Sequence, residues 1–350
     1  MQIKIATSVL SNPIWHSYLD VVFDFVQHHS EFLIFDLNEL NNVMRSAWLR
    51  DAEGARRLIP DILRASARVA SRSISSDLVA IQIDDTAPHE GVVEAPNVVR
   101  IHPFGALVIL AQPFHLIVED ESSDGGFILW MAKLLGKDQI RKAYNAGRLL
   151  FRHAGGKGQI SKSAKALSYG VWPRDNKPIR SMKLRAGVVL DSDAKFPGHA
   201  PNSQLTTDAA DHVSFTHILR GRTIENYVPR KYMERRLGDD GLAATTTSFF
   251  LLSEQERTYF PIKKGFRDEN GNSQSHAAFL VDMRRSQQER DLFRHVAPAV
   301  WDIINGGFGE RLSAVYMESG YRCGPGETGQ LTRDQQNEIN ELLLMIIRNL

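Results

Sequence analysis

Four short apolar segments between residues 114 and 221 alternate with segments that have the periodicity of helices. The apolar segments are FHLIVED, GRLLFRHAG, KLRAGVVLD and SFTHILRG. Continuous apolar runs of this length are typical of strands that are buried on both faces of a sheet. Strands that alternate with helices favour right-handed crossovers between parallel strands. The sequence therefore predicts an α/β fold in which helices cover both faces of a mostly parallel sheet.

The chain has 350 residues, which is enough for about two domains. We predict a mixed α/β unit of unassigned role over residues 1–110 and an α/β catalytic domain over residues 111–266. A helical region follows over residues 267–350, and we expect it to pack on the catalytic domain or on a partner.

Within the first unit, the pattern predicts a short strand at IKIAT, helices around residues 15–29 and 52–70, and a strand over residues 77–83. Asp84 and Asp85 follow that second strand. We interpret the two as an acidic turn, although a cation site is the alternative.

The last predicted helix begins with Thr332 and Gln335, which form a capping-box pattern. Its apolar residues between Ile339 and Ile347 fall on one stripe. Core packing is the expected role of this stripe, and docking of a partner is the alternative.

The charges give no overall attraction to nucleic acid, because 42 Lys and Arg oppose 41 Asp and Glu for a net charge of +1. Any nucleic-acid surface must then be local. Residues 180–185, 220–236 and 259–266 combine basic and aromatic side chains and are the candidates. Solvated helix faces are the alternative interpretation of these runs.

Three features indicate a cytoplasmic protein outside the membrane. The single cysteine, Cys323, excludes an intrachain disulfide, and the N-terminal residues lack the regions of a signal peptide. The most apolar stretch, residues 104–118, is interrupted by polar residues and is shorter than the roughly 18 residues of a membrane span.

Acidic residues stand where three of the predicted strands end. Glu119 ends the first strand, the pair Asp191 and Asp193 ends the third, and Glu225 follows the fourth. Ligand sites of open α/β sheets lie at the carboxyl ends of parallel strands. Clustered carboxylates repel one another and bind hard divalent cations, so we expect a metal ion, rather than a Lys or Arg partner, to compensate their charge.

Three motifs carry a specific resemblance: LIVEDESSDGGFI (116–128), VVLDSD (188–193) and RTIENYVP (222–229) resemble the motifs of TOPRIM domains. The pattern is most similar to that of the overcoming-lysogenization-defect (OLD) family nucleases and covers roughly residues 114–266. The resemblance implies a Rossmann-like TOPRIM fold. It also implies that Glu119 is the strand-ending glutamate of the site, and that Asp191 and Asp193 are its paired aspartates.

The same resemblance implies roles for further residues. Glu225 and Asp124 would be additional ligands of one or two Mg²⁺ or Mn²⁺ ions, and Arg222 would contact the scissile phosphate. Lys263 or Lys264, in the segment YFPIKKGF, would stabilise negative charge that develops on the phosphate.

A glycine-rich loop follows the second strand of the predicted sheet. Gly155 and Gly156 would let the backbone approach a phosphate, and Lys157 would neutralise its charge. A simple left-handed turn before a helix explains the loop equally well. His153, just before it, is expected to be a turn or surface residue.

The resemblance implies a divalent-metal-dependent endonuclease that cleaves DNA or RNA. Stand-alone TOPRIM proteins of this kind resemble effectors of bacterial anti-phage defence, which work beside a separate ATPase of the ABC or SMC type. This chain lacks the G-x-x-x-x-G-K-[ST] motif of such an ATPase. A homo-oligomer is compatible with these expectations.

Two alternatives remain at this stage. One is a TOPRIM scaffold that binds nucleic acid or an ATPase without catalysis. The other is a phosphatase similar to haloacid dehalogenases, because VVLDSD also resembles their strand-ending Asp-x-Asp motif.

Overall fold

Two sheets organise the chain, one mixed and one parallel. The structure, a computed structural model, describes residues 1–28, 35–50, 60, 61, 63, 80–95, 98–169, 180–238, 240–312, 315–317 and 331–350. Cys323 and all of the predicted 52–70 helix except residues 60, 61 and 63 lie outside these residues.

The first sheet belongs to the N-terminal unit and has the strand order β1-β2-β4-β3. Its strands are β1 (Gln2–Ile5), β2 (Ala80–Ile83), β3 (Val92–Ala95) and β4 (Val98–Ile101). Strands β1, β2 and β4 run parallel, and β3 pairs antiparallel with β4. The helices of this unit are α1 (Thr7–Ser11), α2 (His16–His28), α3 (Leu37–Met44), α4 (Ala47–Arg50) and α5 (Pro103–Leu110).

The predictions of β1, β2 and α2 are confirmed. Strands β3 and β4 were not predicted from the sequence. Asp84 forms the expected turn, because its Oδ1 accepts hydrogen bonds from the backbone N and the hydroxyl of Thr86, at 2.9 and 2.7 Å. Its other oxygen pairs with Arg100 at 3.4 Å.

The second sheet carries the candidate site and has the strand order β6-β5-β7-β8. Its strands are β5 (Phe114–Val118), β6 (Leu149–His153), β7 (Ala186–Leu190) and β8 (Phe215–Ile218). All three of its strand pairs are parallel. The four strands coincide with the four apolar segments, so the predicted parallel α/β sheet is confirmed.

Helices cover both faces of this sheet, as the buried residues of β5 and β7 require. The helices between its strands are α6 (Ser123–Leu134), α7 (Asp138–Asn145), α8 (Ile160–Tyr169) and α9 (Ser203–Ala210). Leu116 and Val118 pack in one core with α6, whereas Ile117 and Val188 pack in another with α8 and α9. The alternation of side chains along each strand separates the two cores.

Seven α-helices follow β8 among the described residues. They are α10 (Arg230–Gly238), α11 (Ala243–Phe249), α12 (Glu254–Tyr259), α13 (His276–Val281), α14 (Gln287–Leu292), α15 (Pro298–Ile304) and α16 (Arg333–Asn349). The predicted capping box of Thr332 and Gln335 begins α16, and Ile339, Leu342 and Ile346 are fully buried, which confirms the core role of the stripe. One hydrophobic core extends from Phe114 to Leu350, so the region 267–350 shares the core of the α6 face.

In the described part of the chain, every helix is too short or too polar to span a lipid bilayer.

Candidate metal and phosphate site

The acidic residues that end β5 and β7 lie at the same edge of the sheet. The two strands are neighbours, with Ile117 opposite Val188, and both run in the same direction. Glu119 directly follows the end of β5, and Asp191 directly follows the end of β7. Parallel pairing therefore places both carboxylates beyond the carboxyl ends of adjacent strands.

Asp193 is held in an unusual backbone conformation. Its φ of 52° makes it the sole non-glycine residue with a positive φ in the part of the chain that the structure describes. Its backbone N donates to the carbonyl oxygen of Arg222 at 2.9 Å, and its Oδ2 accepts from Asn202 Nδ2 at 3.1 Å. The same amide nitrogen donates to the carbonyl oxygen of Asp191 at 2.7 Å. Conformations of this kind persist where surrounding bonds impose them, and they are frequent at functional sites.

Asn202 was not predicted from the sequence. It lies in the N-cap position of α9, where Asn is common for local reasons, so its sequence context gives no signal of a role at the site.

Lys157 lies between two of the carboxylates. Its Nζ is 3.3 Å from Glu119 Oε2 and makes a direct hydrogen bond with Asp193 Oδ2. Although burial alone would lower it, the hydrogen bond with Asp193 and the charges of Asp191, Asp193 and Glu119 raise the pKa of Lys157 above its ordinary value. The sequence predicted Lys157 as a phosphate-binding residue, and in the structure it is an ion-pair partner of the acidic cluster.

The two glycines before Lys157 allow the loop to turn. Gly155 and Gly156 have φ values of 79° and 98°, a region that side chains with a Cβ rarely adopt. Open space surrounds the position that a Cβ would take at either glycine. The loop therefore has the predicted left-handed turn and also leaves its backbone accessible to a ligand.

Among the carboxyl groups of the cluster, Asp191 is the one whose negative charge is most strongly disfavoured. Burial raises the pKa of Asp191 well above its ordinary value, the negative charges of Asp124 and Glu225 raise it further, and Lys157 opposes them. Its Oδ1 is buried and has no hydrogen-bond partner among the described residues. A buried carboxylate oxygen without a partner is costly, and a cation is the natural group to satisfy it.

Asp124, in the first turn of α6, also faces the cluster. Burial raises its pKa to about 6, and the charges of Glu119 and Asp120 contribute. The backbone N of Asp120 donates to Asp124 Oδ2 at 3.0 Å and partly offsets this effect.

Glu225 and Lys263 form a second ion pair at the cluster. The Glu225 side chain is fully buried, and Lys263 Nζ lies 2.8 Å from its Oε1. The negative charge of Glu225 raises the pKa of Asp191. Lys264 is exposed. Of the two lysines left open by the sequence, the structure places Lys263 at the cluster.

Arg222 is half-buried, and its backbone carbonyl oxygen accepts from the backbone N of Asp193. One guanidinium nitrogen donates to the carbonyl oxygen of Tyr259 at 3.4 Å. Burial lowers the pKa of Arg222, and the charges of Glu289 and Asp193 oppose that shift. His153, at the end of β6, is exposed, as expected.

One expectation was wrong: lysine side chains pair with the carboxylates. Lys157 and Lys263 both pair with members of the cluster. Consistent with this, no three His, Cys, Asp or Glu side chains in the described ranges have the spacing of a metal site. The oxygen donors and the unpartnered Asp191 Oδ1 nevertheless suit the chemistry of a hard divalent cation.

Comparisons of the chain with protein-family models, with curated proteins and with solved structures find no match.

Proposed function

We propose that this protein is a divalent-metal-dependent nuclease that hydrolyses phosphodiester bonds through a TOPRIM-like site. The observation that carries the proposal is the buried Oδ1 of Asp191, which has no hydrogen-bond partner among the described residues. The negative charges of Asp124, Glu225 and Asp193 act on the same carboxyl group. Carboxylates at the carboxyl edge of a parallel sheet are suited to binding a cation and a phosphate together.

Glu119, Asp191 and Asp193 would hold Mg²⁺ or Mn²⁺, with Asp124 and Glu225 as further ligands. A bound ion would polarise the phosphate and lower the pKa of a bound water. Glu119, which is only partly buried, would accept a proton from the attacking water. Lys263 would offset the charge that develops on the phosphate, and Arg222 would orient Asp193 through the backbone bond between them.

Lys157 has two roles in this proposal. In the absence of an ion, its ammonium group neutralises Glu119 and Asp193. Released from them, it would reach a phosphate beside the glycine turn formed by Gly155 and Gly156. The predicted role at the phosphate and the observed ion pair are then two positions of one side chain.

The biological setting is part of the proposal. DNA or RNA is the substrate, the cytoplasm is the location, and anti-phage defence beside a separate ABC- or SMC-type ATPase is the role. The TOPRIM and OLD-like motifs at residues 116–128, 188–193 and 222–229 support it. A homo-oligomer is compatible with it.

The test is cleavage of supercoiled DNA and of RNA with Mg²⁺ or Mn²⁺, by the unchanged protein and by Glu119→Ala. We expect cleavage that requires the ion and falls by about 100-fold or more in the variant, as is usual when a metal-site carboxylate is removed. Equal activity of the two proteins would exclude the assignment.

One observation favours a second candidate, a non-catalytic scaffold that binds nucleic acid or an ATPase. Lys157 already satisfies Glu119 and Asp193, as a permanent ion pair would in a site without chemistry. Nucleic-acid binding without any response to Mg²⁺ or Mn²⁺ would support the scaffold and exclude the nuclease.

A further inference from the structure

A groove beside the candidate site combines two arginines with an aromatic ring. Arg230, Phe250 and Arg257 line a cavity of about 370 Å³, together with Asn226. This volume falls within the range of ligand-binding pockets. The groove is distinct from the carboxylate cluster, because none of the cluster carboxylates lines it.

Both guanidinium groups are held against the same ring. The guanidinium carbon of Arg230 lies 5.2 Å from the centroid of Phe250, and that of Arg257 lies 5.6 Å from it. Stacking on an aromatic ring fixes the plane of a guanidinium group without neutralising its charge. The two arginines are therefore preorganised rather than free to sample many rotamers.

The groove carries positive charge that carboxylates only partly compensate. Arg230 pairs with Glu234 at 2.6 Å. Arg257 donates to the carbonyl oxygen of Leu252, and within the described ranges it has no carboxylate at ion-pair distance. The helix that begins with Arg230 has four basic residues and one acidic residue, RKYMERRLG. An anion with two acceptor oxygens, such as a phosphodiester, is the complementary ligand.

The groove adjoins the turn that contains Glu225. Asn226, the next residue, donates through Nδ2 to the carbonyl oxygens of Arg257, at 2.8 Å, and Phe260, at 3.1 Å. Glu225 itself faces the carboxylate cluster. The groove and the carboxylate cluster therefore adjoin the same short turn.

We infer that this groove binds the phosphodiester backbone of a nucleic acid next to the bond that is cleaved. Arg230 and Arg257 contact phosphates, and Phe250 holds both guanidinium groups in position. The inference rests on the proposed function for the identity of the polymer, because an acidic protein surface would satisfy the same charges.

Binding is measured without any divalent ion, in EDTA, so that it does not depend on catalysis. Fluorescence anisotropy of short labelled DNA and RNA oligonucleotides is recorded over a series of salt concentrations. For the double variant Arg230→Gln/Arg257→Gln, we expect about tenfold weaker binding. The plot of log K against log salt should also be less steep, with a slope smaller in magnitude by about 2. The control Arg141→Gln removes an arginine of α7 that does not line the groove and should bind as the unchanged protein does.

A variant with the opposite effect excludes misfolding as the explanation. Glu254 lines the groove, and Glu254→Gln removes a negative charge from it, so we expect two- to threefold tighter binding. If the double variant binds as tightly as the control, or if Glu254→Gln does not tighten binding, the groove is not the nucleic-acid site. Failure of the proposed function gives a different result: oligonucleotide binding keeps these differences while no ion produces cleavage.

Discussion

The ammonium nitrogen of Lys157 lies 3.3 Å from Oε2 of Glu119, so residues that follow neighbouring strands β6 and β5 meet at one edge of the sheet. The same nitrogen bonds Asp193, which follows β7. The loops that follow β5, β6 and β7 therefore meet at the ammonium group of Lys157. A divalent ion that binds these carboxylates must replace the ammonium group as their counter-charge.

This competition predicts that Lys157→Met increases the affinity for Mn²⁺. Removal of the ammonium group leaves Glu119 and Asp193 without their partner, so we expect at least about tenfold tighter binding and lower stability of the metal-free protein. Calorimetric titration measures the affinity. Lys162→Met, an exposed lysine of α8, is the matched control. The same affinity in both variants would contradict the competition.

The two neighbouring lysines of the YFPIKKGF segment should behave differently. Lys263→Ala removes the ion pair with the fully buried Glu225, so we expect cleavage to fall by about 100-fold. Lys264→Ala changes an exposed side chain, and activity should stay within about twofold of the unchanged protein. A cleavage assay that shows equal losses would remove the specific role of Lys263.

Asp124 should make stability depend on pH in the absence of metal. Its pKa in the folded protein is about 6, above the ordinary 3.8, so the folded state binds the proton more tightly than the unfolded state. The stabilisation is complete below about pH 4 and is lost as the pH rises through 6. At pH 7.5 we expect Asp124→Asn to be more stable than the unchanged protein by about 3 kcal/mol, with little difference at pH 4.

Urea unfolding at the two pH values measures this effect. Asp120→Asn is the comparison. Hydrogen bonds from Ser123 hold the pKa of Asp120 below its ordinary value, so the stabilisation from Asp120 is lost as the pH falls instead of as it rises. Saturating Mg²⁺ should abolish the advantage of Asp124→Asn. An advantage that is the same at both pH values would contradict the assignment.

A buried glutamate in the last helix should stabilise the loop after β8. Glu338 is 2% exposed; it accepts from the backbone N of Arg220 at 2.6 Å and from the hydroxyl of Tyr227 at 2.7 Å. Glu338→Ala leaves the backbone N of Arg220 and the buried hydroxyl of Tyr227 without this acceptor, which should lower the free energy of unfolding by about 3 kcal/mol. Glu338→Gln keeps an acceptor oxygen and should lose about half as much. Denaturant unfolding measures both, and equal stability of Glu338→Ala and the unchanged protein would exclude this network.

The strands of the second sheet could be predicted because β5 and β7 are continuously apolar, a pattern that burial on both faces imposes. The positions of Glu119 and Asp191 then followed from the rule for strand ends. The roles of the lysine side chains could not be predicted from this rule. Lys157 contacts carboxylates that follow two other strands, which the local sequence does not show, and the choice between Lys263 and Lys264 depends on the direction of one turn.

Other features lack a local signal altogether. Asn202 occupies an ordinary N-cap position, and its bonds to Asp191 and Asp193 exist only because α9 packs beside β8 and α8. Glu338 adjoins the apolar stripe of α16, and its partners Arg220 and Tyr227 lie more than 100 positions earlier in the chain. Contacts of this range are set by tertiary packing rather than by sequence periodicity.

Calorimetric titration of Mn²⁺ into the unchanged protein and into Asp191→Asn addresses the metal site itself. We expect saturable binding by the unchanged protein, and at least about tenfold weaker binding by the variant, because Asp191 supplies the buried oxygen that has no other partner among the described residues. A folded, unchanged protein that binds no Mn²⁺, or that binds it no better than Asp191→Asn, would show that these carboxylates do not form a metal centre.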